Sequence, residues 1–164
     1  MKRLLFIITA ALAVAALVPA LAPAQQDGPA RSQPGRRTRQ TKVIDAVRAV
    51  LDAQVSAWNR GDIEGFMDGY ARSPETVFVS GDTVTRGWQT VLDRYKKGYQ
   101  SRAQMGTLAF TELEIKPLGK ETALALGRWQ LTRAGDAPHG RFTLILHRMP
   151  EGWRIVHDHT SAAS

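Results

Sequence analysis

The side chains best suited to chemistry gather at the end of the chain, in the run Gly152-Trp153-Arg154-Ile155-Val156-His157-Asp158-His159-Thr160-Ser161. Imidazole titrates near neutrality, so His157 or His159 can serve as a general base without extreme tuning, and Asp158 offers a carboxylate for the same task. A His-x-His pair also suits a metal ion if a neighbouring strand adds a third ligand, and His147 is the nearest candidate. That pattern is short and common, so no metal and no cofactor is expected from it. A plainer role is that these polar groups hydrogen-bond a helix end or a partner subunit. Regular strand alternation puts Trp153, Ile155, His157 and His159 on one face. Arg154, Val156, Asp158 and Thr160 then share the other, with Asp158 turned away from both histidines.

Rings are the second resource. Trp58, Phe66, Tyr70, Phe78, Trp88, Tyr95, Tyr99 and Trp129 are many bulky side chains for a small domain. Some must be plain core. Trp58, Tyr70, Tyr95 and Trp129, with His157, are the candidates to line a ligand pocket, because such rings can present a polar tip to an apolar space. Other chemistries are missing. There is no cysteine, which excludes disulfides, thiolate metal sites and cysteine nucleophiles. Neither phosphate-cradling glycine motif is present, and no G-x-S-x-G elbow occurs.

Elements must position these groups. Lys2 and Arg3, the apolar run Leu4 to Val18 and the small residues of Ala22-Pro23-Ala24 form a leader at residues 1–24. Cleavage after Ala24 would leave a periplasmic or secreted protein with no stable membrane insertion; an uncleaved leader would anchor it, being nearly long enough to span a bilayer. Residues 25–41 are rich in Gln, Pro, Gly, Ser and Arg, and are expected to be a disordered tether. The net charge of +7 comes mostly from leader and tether. In the remaining domain, residues 42–164, acids and bases nearly balance, so nucleic acid is not an expected partner.

In that domain Ile44, Val47, Leu51, Val55 and Trp58 recur at helical spacing from about Thr41 to Arg60. Gly61 stops this helix and Asp62 caps a second, whose face carries Ile63, Phe66, Met67 and Tyr70. Two short strands meet at Gly81-Asp82, and Gly87 opens a third helix. Four longer strands follow, about Thr107 to Pro117, Thr122 to Arg133, Gly140 to Arg148 and Trp153 to Thr160. Short links imply antiparallel pairing. The expected class is α+β, with three N-terminal helices against one curved antiparallel sheet.

Three pieces in this order resemble the SnoaL-like branch of the nuclear transport factor 2-like superfamily: Trp58-Asn59-Arg60-Gly61-Asp62 with Phe66 and Tyr70; Val77-Phe78-Val79-Ser80-Gly81 leading to Gly87 and Tyr95; and the terminal run from Gly152. The resemblance implies a cone-shaped sheet wrapped around the helices, an apolar pocket at its open end and a homodimer. It does not imply one reaction. Ketosteroid isomerase, of this superfamily, needs a tyrosine where this chain has Gln54 and an aspartate near Val79. Limonene epoxide hydrolase needs an Arg-x-Asp pair, and Arg128-Trp129-Gln130 lacks the carboxylate. Neither mechanism is expected. The resemblance implies instead that a small, largely apolar molecule is bound. An isomerase, cyclase or lyase using His157, His159 or Asp158 is the alternative, and a dimerisation module without ligand the next.

Overall fold

Val43, Val47, Leu51 and Trp58 are all buried, and the stripe they form seats the first helix, α1 (Pro34–Asn59), in the core. The computed structural model describes residues 34–163; the expected leader and residues 25–33 of the expected tether lie outside the described residues. α1 begins at Pro34 rather than near Thr41, so the last part of the stretch expected to be disordered is helical. Its residues 37–42 are exposed. Arg, Gln and Lys are good helix formers, and extending a helix already nucleated by packing costs little.

Gly61, at φ 82°, ends the helix as expected. Asp62 then caps α2 (Ile63–Met67), its Oδ1 accepting from the Gly65 amide at 2.7 Å. α2 is shorter than its pattern suggested. Tyr70 falls beyond it, in a segment that pairs with the last strand: Ile155 N donates to Gly69 O and Ala71 N to Ile155 O. The buried Gln54 ties α1 to α2, donating to Phe66 O at 3.0 Å.

A hairpin, β1 (Val77–Ser80) and β2 (Thr83–Arg86), leads into α3 (Trp88–Gly98). A short fourth helix, α4 (Arg102–Met105), occupies the expected loop. β3 (Thr107–Pro117), β4 (Thr122–Thr132), β5 (His139–Met149) and β6 (Gly152–Ala162) follow. The six strands form one sheet in the order β2-β1-β6-β5-β4-β3. Every pair is antiparallel except β1 with β6, which is parallel. Link length reports only on consecutive strands, and these two are far apart in sequence. Asn59 fastens α1 to β3 by accepting from Leu108 N at 2.7 Å and donating to Leu108 O at 3.0 Å. Among the described residues no helix is long and apolar enough to cross a membrane.

Two bulges shape the sheet. One lies in β3 between Thr111 and Glu114, where Glu112 takes a positive φ of 52°. The other lies in β6: Ile155 faces Leu146 and His157 faces Ile145, so Val156 is the extra residue. Such an insertion bends the strand and reverses the side-chain alternation beyond it.

Candidate functional site

The Val156 bulge decides which group of the terminal run reaches the interior. Before it, Trp153 and Ile155 point into the core; after it, Asp158 and Thr160 do. Asp158 therefore shares a face with Trp153 and Ile155, contrary to plain alternation. His157, opposite Ile145, and His159, opposite Thr143, turn to the outer face of the sheet. Neither histidine lines the cavity described next, so the placement of His157 among pocket residues is corrected. His147 does not join them: it pairs with Arg154, and among the described residues no three His, Asp or Glu converge as a metal site.

A cavity of about 460 Å³ lies between the helices and the concave face of the sheet, a size suited to a small organic molecule. Trp58, Tyr70, Tyr95 and Trp129 all line it. The rings of α1, α2 and α3 form a connected wall. Trp58 meets Tyr99 edge-on at 4.7 Å and Phe66 at 5.1 Å, and Tyr95 meets Phe66 at 5.2 Å and Phe78 at 5.8 Å. Edge-to-face contacts of this kind hold the rings in fixed orientations. Two polar tips are already used: Trp58 Nε1 donates to Met105 O at 3.1 Å and Trp129 Nε1 to Ser161 O at 3.0 Å. Neither Gln54 nor Val79, the positions tested for steroid isomerisation, lines the space.

One carboxyl sits inside this apolar wall. Asp158 is 5% exposed. Its Oδ2 accepts a 2.6 Å hydrogen bond from the Tyr70 hydroxyl, while its Oδ1 is shut from solvent and has no partner among the described residues. Burial penalises the charged form and pushes the Asp158 pKa up to about 7, with the Tyr70 bond pulling it partly back. Burial also raises Tyr70 well above the phenol range and, with the Asp158 charge, keeps Tyr95 neutral. Tyr95 lines the same cavity and feels the Asp158 charge, while the one side-chain hydrogen bond to the carboxyl among the described residues comes from Tyr70.

The arrangement is a buried proton acceptor or donor in a ring-lined space, which is what general acid–base chemistry on an apolar molecule needs. Asp158 was visible in the sequence as a candidate; Arg94 and Arg133, which also line the cavity, were not singled out. Arg94 stands one residue before Tyr95, and Arg133 carried no such signal.

Residues 47–164 match the SnoaL-like domain family. Among solved structures, an NTF-2 like protein of unknown function from Shewanella oneidensis MR-1 is 38% identical, with a TM-score of 0.70 over 73% of this chain and 98% of that one. A protein of unknown function from the DUF3225 family of Pectobacterium atrosepticum is 25% identical, with a TM-score of 0.63 over 77% of this chain and 94% of that one. A ketosteroid isomerase-like protein from Erwinia carotovora atroseptica is 19% identical, with a TM-score of 0.58 over 73% of this chain and 95% of that one, a likeness of fold alone. No curated protein matches the chain.

Proposed function

The chain belongs to the SnoaL-like domain family, of nuclear transport factor 2-like fold, and on that basis we propose that it binds a small, largely apolar molecule in the cone and that Asp158 exchanges a proton with it. The observation that carries this reading is the Asp158 carboxyl, buried in the ring-lined cavity with one oxygen held by Tyr70 and the other unpartnered. At neutral pH both of its protonation states are populated. The carboxylate form can take a proton from carbon beside a carbonyl, and the acid form can return it to a second position, as an isomerisation requires. His157 and His159, on the outer face, take no part.

Two further expectations stand with this proposal. The basic, apolar and small-residue order of residues 2–24 supports export to the periplasm or beyond. The half-buried apolar residues on the outer face of the sheet support a homodimer.

Exchange of α-hydrogens for deuterium, followed by NMR with a panel of ring ketones in heavy water, tests the reaction. A positioned base contributes about 100-fold or more. At least one ketone should exchange faster with the wild-type protein, and Asp158→Asn should abolish most of that gain. Equal rates for wild type and variant across ketones that bind would leave binding without proton transfer.

A further inference from the structure

Among the described residues three charged ones line the cavity: Asp158, which is buried, and Arg94 and Arg133, which are not. Arg94 is exposed on α3, and its guanidinium lies over the Phe78 ring at 5.2 Å from the centroid. Among the described residues it forms no ion pair. Arg133, just past the end of β4, has a side chain 26% exposed, and its Nη1 reaches Asp136 only at 3.4 Å. Its Nε is closed off from solvent and finds no partner among the described residues. Burial raises the Tyr99 pKa, and the positive charges of Arg133 and Arg94 act against that rise. The other exposed lining residues, Gly98 and Ala162, mark the same open end. The wall is thus largely apolar, burial favours the neutral form of the deep carboxyl, and two guanidiniums line the cavity, one of them ion-paired with Asp136 at 3.4 Å.

We infer that the cavity's ligand is an amphipathic acid, its ring body among Trp58, Phe66 and Phe78 and its anionic oxygens at the mouth between Arg94 and Arg133. This rests on the small-molecule reading above and narrows it. A guanidinium fork matches an oxyanion in geometry and forms the stronger, charge-assisted class of hydrogen bond. A neutral acceptor would give the two guanidiniums only the weaker, uncharged class of hydrogen bond. A cationic ligand would meet two like charges at the entrance. The apolar walls weaken screening at the mouth, so the attraction acts over the whole opening.

Two fluorescent probes with the same rings separate the two ideas: 8-anilinonaphthalene-1-sulfonate, an anion, and N-phenyl-1-naphthylamine, its neutral counterpart. Both should bind the wild-type chain. In Arg94→Gln/Arg133→Gln the sulfonate should bind about tenfold more weakly or worse, while the neutral probe, which also reports that the cavity is intact, stays within about twofold. Added salt should weaken only the anion. Competition against the bound sulfonate by 2-naphthoate and by 2-naphthyl phosphate ranks the oxyanions, and either order supports the inference. Equal competition by neutral 2-naphthol would overturn it, as would a sulfonate affinity indifferent to the two substitutions. If the neutral probe binds and the anion does not, the cavity reading stands and the acid falls. If neither probe binds, the cavity reading itself fails and the inference goes with it.

Discussion

At Asp158 two effects oppose each other. Burial favours the neutral acid, the Tyr70 hydroxyl favours the carboxylate, and burial wins, leaving the group near pH 7. The same balance sets a sign for stability. The folded chain keeps the Asp158 proton up to about pH 7, whereas the unfolded chain gives it up near 4, so the folded state binds more protons in between. Its contribution to stability is full below about pH 4 and is lost as pH rises through about 7, by up to roughly 4 kcal/mol. Asp158→Asn cannot titrate. Its melting temperature relative to wild type should therefore rise as pH goes from 4 to 8, a divergence that thermal denaturation across that range will show; parallel curves would mean an ordinary carboxylate. Removing the opposing bond moves the group the other way: Tyr70→Phe should lift the Asp158 pKa above 7 and carry any pH–rate profile with it. The histidines drew attention in the sequence because of their type, yet they face outward. Asp158 was named there, but its direction was hidden, because alternation counts residues in twos and one extra residue reverses it.

At the level of elements, the β6 bulge and the Tyr70 segment belong together. Gly69 and Ala71 bond the backbone of Ile155 immediately before Val156, which fixes the strand where its side chains switch faces and brings Tyr70 against Asp158. The strands, the Gly61 stop and the Asp62 cap were legible because each is set by local pattern. The Tyr70–Asp158 bond and the parallel β1–β6 pair were not, because they join segments distant in sequence. Asn59 is a similar case: its place beside Gly61 was visible, but its partner Leu108 lies far along the chain. Asn59→Ala would strip two hydrogen bonds from the half-buried start of β3. That should cost about 2 kcal/mol, seen as a lower urea midpoint with an unchanged slope. Because Leu108 also lines the cavity, the same variant should bind N-phenyl-1-naphthylamine more weakly. A midpoint equal to wild type would show that the α1–β3 joint is held elsewhere.

The molecule as a whole presents two unlike faces of one sheet. The concave face closes the cavity with the helices. The outer face carries Leu124, Leu126 and Ile145, each only half-buried, beside the paired Arg128 and Arg141. We propose that a second copy covers this face, since an apolar patch with a charged border suits a symmetric contact. Analytical ultracentrifugation should find a dimer, and Leu126→Glu should yield a folded monomer; a monomeric wild type at tens of micromolar would contradict it. The α+β class was legible in the order of helices and strands, and the cone in the resemblance to the SnoaL-like branch. The charge along the cone's lining was not, since Arg94 on α3 and Arg133 past the end of β4 come to one cavity only in the folded chain. The account turns on a buried carboxyl in the cavity wall. Carbon-13 NMR titration of the Asp158 side-chain carboxyl, with and without N-phenyl-1-naphthylamine, measures this most directly. The account predicts a midpoint near 7 that rises when the probe fills the cavity and excludes more water; a midpoint near 4 that the probe does not move would contradict it.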